Sequence, residues 1–208
     1  KQRNATIDKS KSEALAEAAK VTQAKLAELE QEIARALPVA GAILDLDADH
    51  GVTASADNRV TLSQNQISGF PAVEFVPRDE GRTEPGSGRP TLLKAVKEIK
   101  GLSAIDFRQQ ELVCLDEDAF DFLSKGAGCT WLTVISPHAQ REGLKDVNSF
   151  FGNLKNSGNY EGQWGCFNDD NTIWWGPRNG ITFGRFDENN PQLTGPKLET
   201  GKFVIVAG

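Results

Sequence analysis

Between Ile7 and Leu37 the chain carries Ala, Glu, Lys and Gln in a block without glycine or proline, and Pro38 closes it. Strong helix formers ended by a residue that cannot continue a helix predict one long α-helix there. Leu26, Leu29, Ile33 and Leu37 recur at steps of three and four, and Leu15, Ala19 and Thr22 continue the spacing towards the N-terminus. The helix is therefore expected to carry one apolar seam. Such a seam either packs on the chain's own domain or zips against a second copy, since about three heptads sustain a coiled coil. Residues 1–37 thus read as a helical stalk or coiled-coil segment, with homo-oligomerisation through residues 7–37 as one use of it.

After Pro38 the composition changes to short β-branched and aromatic runs punctuated by Gly, Asn, Asp and Pro, the pattern of an antiparallel β protein. The expected strands are Ala42–Leu46, Ala72–Val76, Ala104–Phe107, Glu111–Leu115, Thr130–Ser136, Ser149–Asn153, Gln163–Asn168, Ile173–Gly176, Ile181–Arg185 and Lys202–Ala207. The apolar run Trp131–Ile135 predicts a central strand covered on both faces. Thr91–Lys100 has helical periodicity with Gly101 as a stop, and reads as a short helix or an extended surface segment. Arg78–Arg89, polar and rich in Gly, Pro and Ser, is expected to be the most flexible loop.

Charge and hydropathy narrow the function. With 29 acidic and 23 basic residues the net charge is −6, and no long Lys/Arg run exists to neutralise phosphates, which argues against a nucleic-acid partner. No window approaches the roughly 18 consecutive apolar residues that a membrane-spanning helix needs, so the chain itself is expected to make no membrane contact. It begins KQRN and contains no methionine, as a processed product would, and KQRN resembles the basic flank of an upstream anchor. Cys114, Cys129 and Cys166 form no metal spacing with His50 and His138. They read as one disulfide plus a free thiol, or as three buried thiols.

Several phrases occur in a telling order: AILDLDADHGVT (Ala42–Thr53), GRPTLLKAVKEIKGLSAIDFRQQELVCLD (Gly88–Asp116) and CTWLTVISP (Cys129–Pro137), then SFFGN (Ser149–Asn153) and GQWGCFNDDN (Gly162–Asn171). Together they resemble the laminin G-like, concanavalin A-like lectin/glucanase superfamily as found in bacterial surface proteins. The resemblance implies a mainly β fold over residues 38–208, an antiparallel jelly-roll sandwich preceded by the long N-terminal α-helix. It also implies an extracytoplasmic location, periplasmic or cell-surface, and further strands after Lys202–Gly208 to complete the sandwich; tethering to a membrane would come from the upstream anchor that KQRN suggests.

Three constellations could carry chemistry. Asp45, Asp47 and Asp49 alternate, so their carboxylates could share one face and hold calcium, although the helix-loop-helix pattern of Gly at the sixth position and Glu at the twelfth is missing. In the family these residues resemble turn formers. Glu111, Asp116, Glu117 and Asp118 do not make the Glu-x-Asp-x-x-Glu strand that the glucanase branch implies, and read as a solvated turn. Asp169, Asp170 and Asn171, followed by Trp174 and Trp175, combine hydroxyl-binding groups with aromatic rings, the ingredients of a glycan loop. Adjacent tryptophans on a strand point to opposite faces, so at least one belongs to the core, and NDDN also suits a plain hairpin turn. Trp131 and Trp164 are assigned to the core and His138 to an exposed loop.

The expected function is a non-catalytic extracytoplasmic recognition module that binds a polysaccharide or a surface protein. Two alternatives stand beside it: a polysaccharide-degrading hydrolase or lyase of the same fold, and an assembly module oligomerising through its helix.

Overall fold

The computed structural model describes residues 15–26, 41–67, 73–116, 118–124, 128–143, 148–155, 161–179 and 191–208. The chain divides into two units, Lys1–Asp45 and Leu46–Gly208. In the first, residues 15–26 are α-helical and exposed throughout, with Thr22 Oγ1 donating to the Ala18 carbonyl at 2.8 Å. Leu29, Ile33 and Leu37 of the expected seam lie outside the described residues.

The second unit is mainly β. In chain order its strands are β1 (Val52–Ala54), β2 (Val60–Gln64), β3 (Glu74–Pro77), β4 (Thr91–Val96), β5 (Leu102–Asp106), β6 (Leu112–Cys114), β7 (Leu132–Ile135), β8 (Asn148–Lys155), β9 (Glu161–Phe167), β10 (Thr172–Asn179), β11 (Leu193–Lys197) and β12 (Val204–Ala207). They form sheets ordered β1-β2-β3-β6, β11-β10-β9-β8, β12-β7 and β4-β5. Every pairing among these strands is antiparallel.

The meander of β8, β9 and β10 is the backbone of this unit. The β9–β10 hairpin runs in unbroken register from Ile173 opposite Phe167 to Asn179 opposite Glu161. The β8–β9 register slips between Ser149 and Phe151, a bulge that changes which faces consecutive side chains take. Both Phe150 and Phe151 consequently reach Trp131, at ring-centre distances of 5.8 and 5.9 Å. Phe150 also meets Phe167 at 5.0 Å. Gly165 opens the space: a Cβ there would stand 2.9 Å from the Phe150 ring. Cys166, Phe167, Ile173 and Trp174 are buried beside this cluster's strands, and burial of each large side chain stabilises by roughly 1.5–3 kcal/mol.

The alternating runs at β3, β5, β6, β8, β9, β10 and β12 appear where the sequence places them, within a few residues. Other segments differ. Residues 42–46 form no strand. Pairing starts later, at β1 and β2, whose Thr, Ser and Gln disguise the period-two pattern. Thr91–Lys100 is split: β4 takes the first part, and Lys97–Ile99 forms a 3₁₀ turn closed by Gly101 N–H on the Val96 carbonyl at 2.8 Å. β7 is not covered on both faces, since Leu132 and Val134 are 68% and 58% exposed. Among the described residues it pairs only with β12, where Ile205 opposite Val134 is 73% exposed. An apolar run identifies a strand but not its neighbours. The expected strand Ile181–Arg185 lies outside the described residues.

The loop Arg78–Arg89 is stapled. Asp79 Oδ1 accepts from Gly88 N–H at 2.7 Å and its Oδ2 from Arg89 Nε at 3.1 Å, while Ser87 N–H donates to the Glu84 carbonyl and Arg89 N–H to that of Gly86. Gln110 Nε2 holds the Ser87 carbonyl at 3.2 Å, and Arg82 Nη2 donates to the Gln109 carbonyl. A composition typical of loops does not reveal that one carboxylate closes both of its ends.

Candidate functional site

The β9–β10 turn is built by its own asparagines and aspartates. Asn168 N–H donates to the Thr172 carbonyl and Asn171 N–H to the Asn168 carbonyl, with Asn171 in the left-handed region at φ 67°. Asparagine tolerates that conformation better than most residues. Asp170 Oδ1 accepts from Thr172 N–H at 2.9 Å. That bond, first, and the Thr172 side chain, second, hold the Asp170 carboxyl below its ordinary range.

Beside this turn lies an open hollow of about 290 Å³, bordered by Gln140, Asp169, Asp170, Asn171, Lys197 and Thr200. Lys197 Nζ stands 3.8 Å from Asp170 Oδ2, and Asp169 Oδ2 accepts from Gly143 N–H at 3.3 Å. Asn171 is only 4% exposed. Its Nδ2 donates to Thr200 Oγ1 at 2.9 Å and its carbonyl accepts from Leu198 N–H. Its Oδ1 is enclosed and has no partner among the described residues. Carboxylates, amides, an ammonium and a hydroxyl thus converge where β9–β10 meets the segment after β11.

Asp169, Asp170 and Asn171 border one hollow, and neither Trp174 nor Trp175 lines it. Trp174, 2% exposed, is a core residue, and Trp175 is half-buried with its indole Nε1 enclosed and unpartnered among the described residues. Trp174 therefore offers solvent no ring face for stacking. Gln140, Lys197 and Thr200 were not legible as partners of the turn, because nothing in their local sequence marks them. Only the pairing of β10 with β11 brings Lys197 alongside Thr172.

The acidic residues after residue 45 work inside turns. Asp47 Oδ1 accepts from Asp49 N–H at 2.9 Å and its Oδ2 lies 2.9 Å from His50 Nδ1. Asp49 accepts from Ser103 N–H through both oxygens at 3.2 Å. Asp45 is exposed in the first unit. No group of three His, Cys, Asp or Glu residues with metal-holding geometry occurs among the described residues. Glu111 faces Arg78 at 3.6 Å, and Asp116 Oδ1 accepts from Asp118 N–H. Glu117 lies outside the described residues. All three cysteines are free thiols.

Comparison with family models, with curated proteins and with solved structures finds no match for this chain.

Proposed function

We propose that this chain is a non-catalytic recognition module that takes a polyhydroxylated ligand, a glycan, in the hollow beside the β9–β10 turn. One observation carries the reading: Asp169, Asp170, Gln140, Lys197 and Thr200 set carboxylates, an amide, an ammonium and a hydroxyl around one open hollow. Sugar hydroxyls are both donors and acceptors, and such a mixed set satisfies them in a fixed orientation. Binding through hydroxyls at this rim replaces the stacking on Trp174 that the sequence suggests, because that ring is buried.

The finer fold belongs to the same proposal. The antiparallel sheets are taken as parts of two facing layers, the concanavalin A-like sandwich of the resemblance, displayed outside the cytoplasm on the N-terminal helix.

Glycan arrays with the intact chain, repeated on Asp170→Ala, Gln140→Ala and Thr200→Ala, test the proposal. A retained glycan whose affinity drops at least tenfold in two of the three variants is the expected result. Binding that is unchanged in all three, or no glycan retained at all, removes it.

A further inference from the structure

A second hollow, of about 360 Å³, lies between the β1–β2 turn and the end of the stapled loop, bordered by Ser55, Asp57, Arg59, Ser87 and Arg89. Its volume falls within the range of roughly 300–1,000 Å³ common for small-ligand sites. Backbone pairing fixes both walls. Val60 N–H donates to the Pro90 carbonyl, Leu92 N–H donates to the Asn58 carbonyl, and Arg59 bridges Thr91.

The two guanidinium groups there are held but not spent. Arg59 uses Nη1 twice, on the Arg89 carbonyl at 3.3 Å and on Thr91 Oγ1 at 3.1 Å. Its Nε and Nη2 have no acceptor among the described residues, and no carboxylate there stands at ion-pair distance from it. Arg89 gives Nε to Asp79, which leaves Nη1 and Nη2. Asp57 is turned to a neighbouring hydroxyl, with Ser55 Oγ 2.5 Å from its Oδ1. Ser87 Oγ makes no hydrogen bond among the described residues. The hollow therefore presents surplus donors of two planar cations and a hydroxyl.

We propose that the Arg59–Arg89 hollow is a binding site for a singly charged oxyanion, the carboxylate or sulfate ester of an acidic ligand. Guanidinium forks match planar and tetrahedral oxyanions through paired N–H donors. Asp57 on the rim and Asp79 behind Arg89 offset the two guanidinium charges, so an oxyanion is held through the free N–H donors, and a second negative charge on the ligand adds repulsion from Asp57 without a further cation to meet it. Asp79 is a positioning residue: it holds by Nε the Arg89 side chain that borders the hollow. The proposal is independent of the glycan reading, since it concerns other residues on other loops.

Amide chemical-shift titrations of the intact chain with sodium methyl sulfate, glucuronate and a monosulfated disaccharide, at constant ionic strength, test it. Saturable shifts confined to residues 55–59 and 85–91 are expected, weakened at least tenfold by Arg89→Gln and less by Arg89→Lys. Arg59→Gln provides the second variant, and circular dichroism checks that each remains folded. A disaccharide at least tenfold tighter than methyl sulfate assigns the group to an acidic sugar; equal affinities assign a small free monoanion, and both support the site. Unsaturable shifts, or saturable ones that Arg89→Gln leaves unchanged, overturn it.

Discussion

His138 Nε2 lies 2.6 Å from Asp106 Oδ1, so the residue following Pro137 is tied to the last residue of β5. Asp106 Oδ2 also accepts from Arg108 Nε at 3.2 Å. The contact links the two two-stranded sheets, one through β5 and the other through the chain leaving β7. With Asp106 mostly buried and His138 partly exposed, the pair should contribute a coupling of about 0.5–1 kcal/mol. A double-mutant cycle of His138→Ala and Asp106→Ala by urea unfolding measures it. A coupling within error of zero would show the contact to be energetically idle.

Gly88 should tolerate no side chain. A Cβ there would stand 2.2 Å from the Arg78 carbonyl oxygen and 2.5 Å from Asp79 Oδ1, and backbone atoms cannot move aside cheaply. Gly88→Ala is expected to destabilise by about 1–3 kcal/mol, as overpacking does. Gly81→Ala, where nothing lies within 4 Å of the added carbon and φ is 75°, should lose only about 1 kcal/mol for the left-handed backbone. Equal midpoints for the two variants in denaturant would contradict the staple.

Burial pushes the Cys166 thiol well up from its ordinary value, and the residue is 0% exposed. Thiolate is the reactive form, so Cys166 should resist a thiol reagent until the protein unfolds. Cys114 and Cys129 are half-buried and should be modified first. Mass spectrometry after brief labelling in native buffer checks the order, and early modification of Cys166 would refute it.

Trp174→Ala should cost about 3–5 kcal/mol, the usual loss for a large buried aromatic. Thermal unfolding reads the loss directly. A midpoint close to that of the unmodified chain would mean that Trp174 is not part of the core.

The β9–β10 turn should show its own acid limb. Thr172 holds the Asp170 carboxyl below its ordinary value, so the carboxylate's contribution is complete above the unfolded aspartate value of about 3.9. It fades as pH falls through the lower folded value. Asp170→Asn should flatten the decline of the unfolding midpoint below about pH 4. Superimposable pH profiles would exclude the turn as its source.

The sequence makes some of this plain and hides the rest for physical reasons. NDDN announces its hairpin because Asn and Asp satisfy turn backbone locally, and strands as regular as β9 and β10 follow from side-chain alternation. β1 and β2 are hard to read because Thr53, Thr61 and Gln64 interrupt their apolar residues and the polar Ser63 takes a buried position. β4 looked helical because Leu92, Leu93 and Val96 fit a helical spacing, and its register shift between Leu93 and Val96 breaks the period that would have exposed it as a strand. The carboxylates of the candidate hollow were visible as a cluster, whereas Gln140 and Thr200 join them only through distant pairing. The two arginines of the second hollow are separated by a loop whose closure depends on Asp79, and spacing alone could not show it.

Strands β8, β9 and β10 are successive neighbours in the chain, whereas β12 pairs with β7 across all of them. The hairpins close short loops, while the β7–β12 ladder encloses the whole meander and bears the larger ordering entropy. In kinetic terms the hairpins are expected to close before it. Trp131, whose backbone pairs with Gly208 in both directions, would then take its place against Phe150 and Phe151 together with the later ladder.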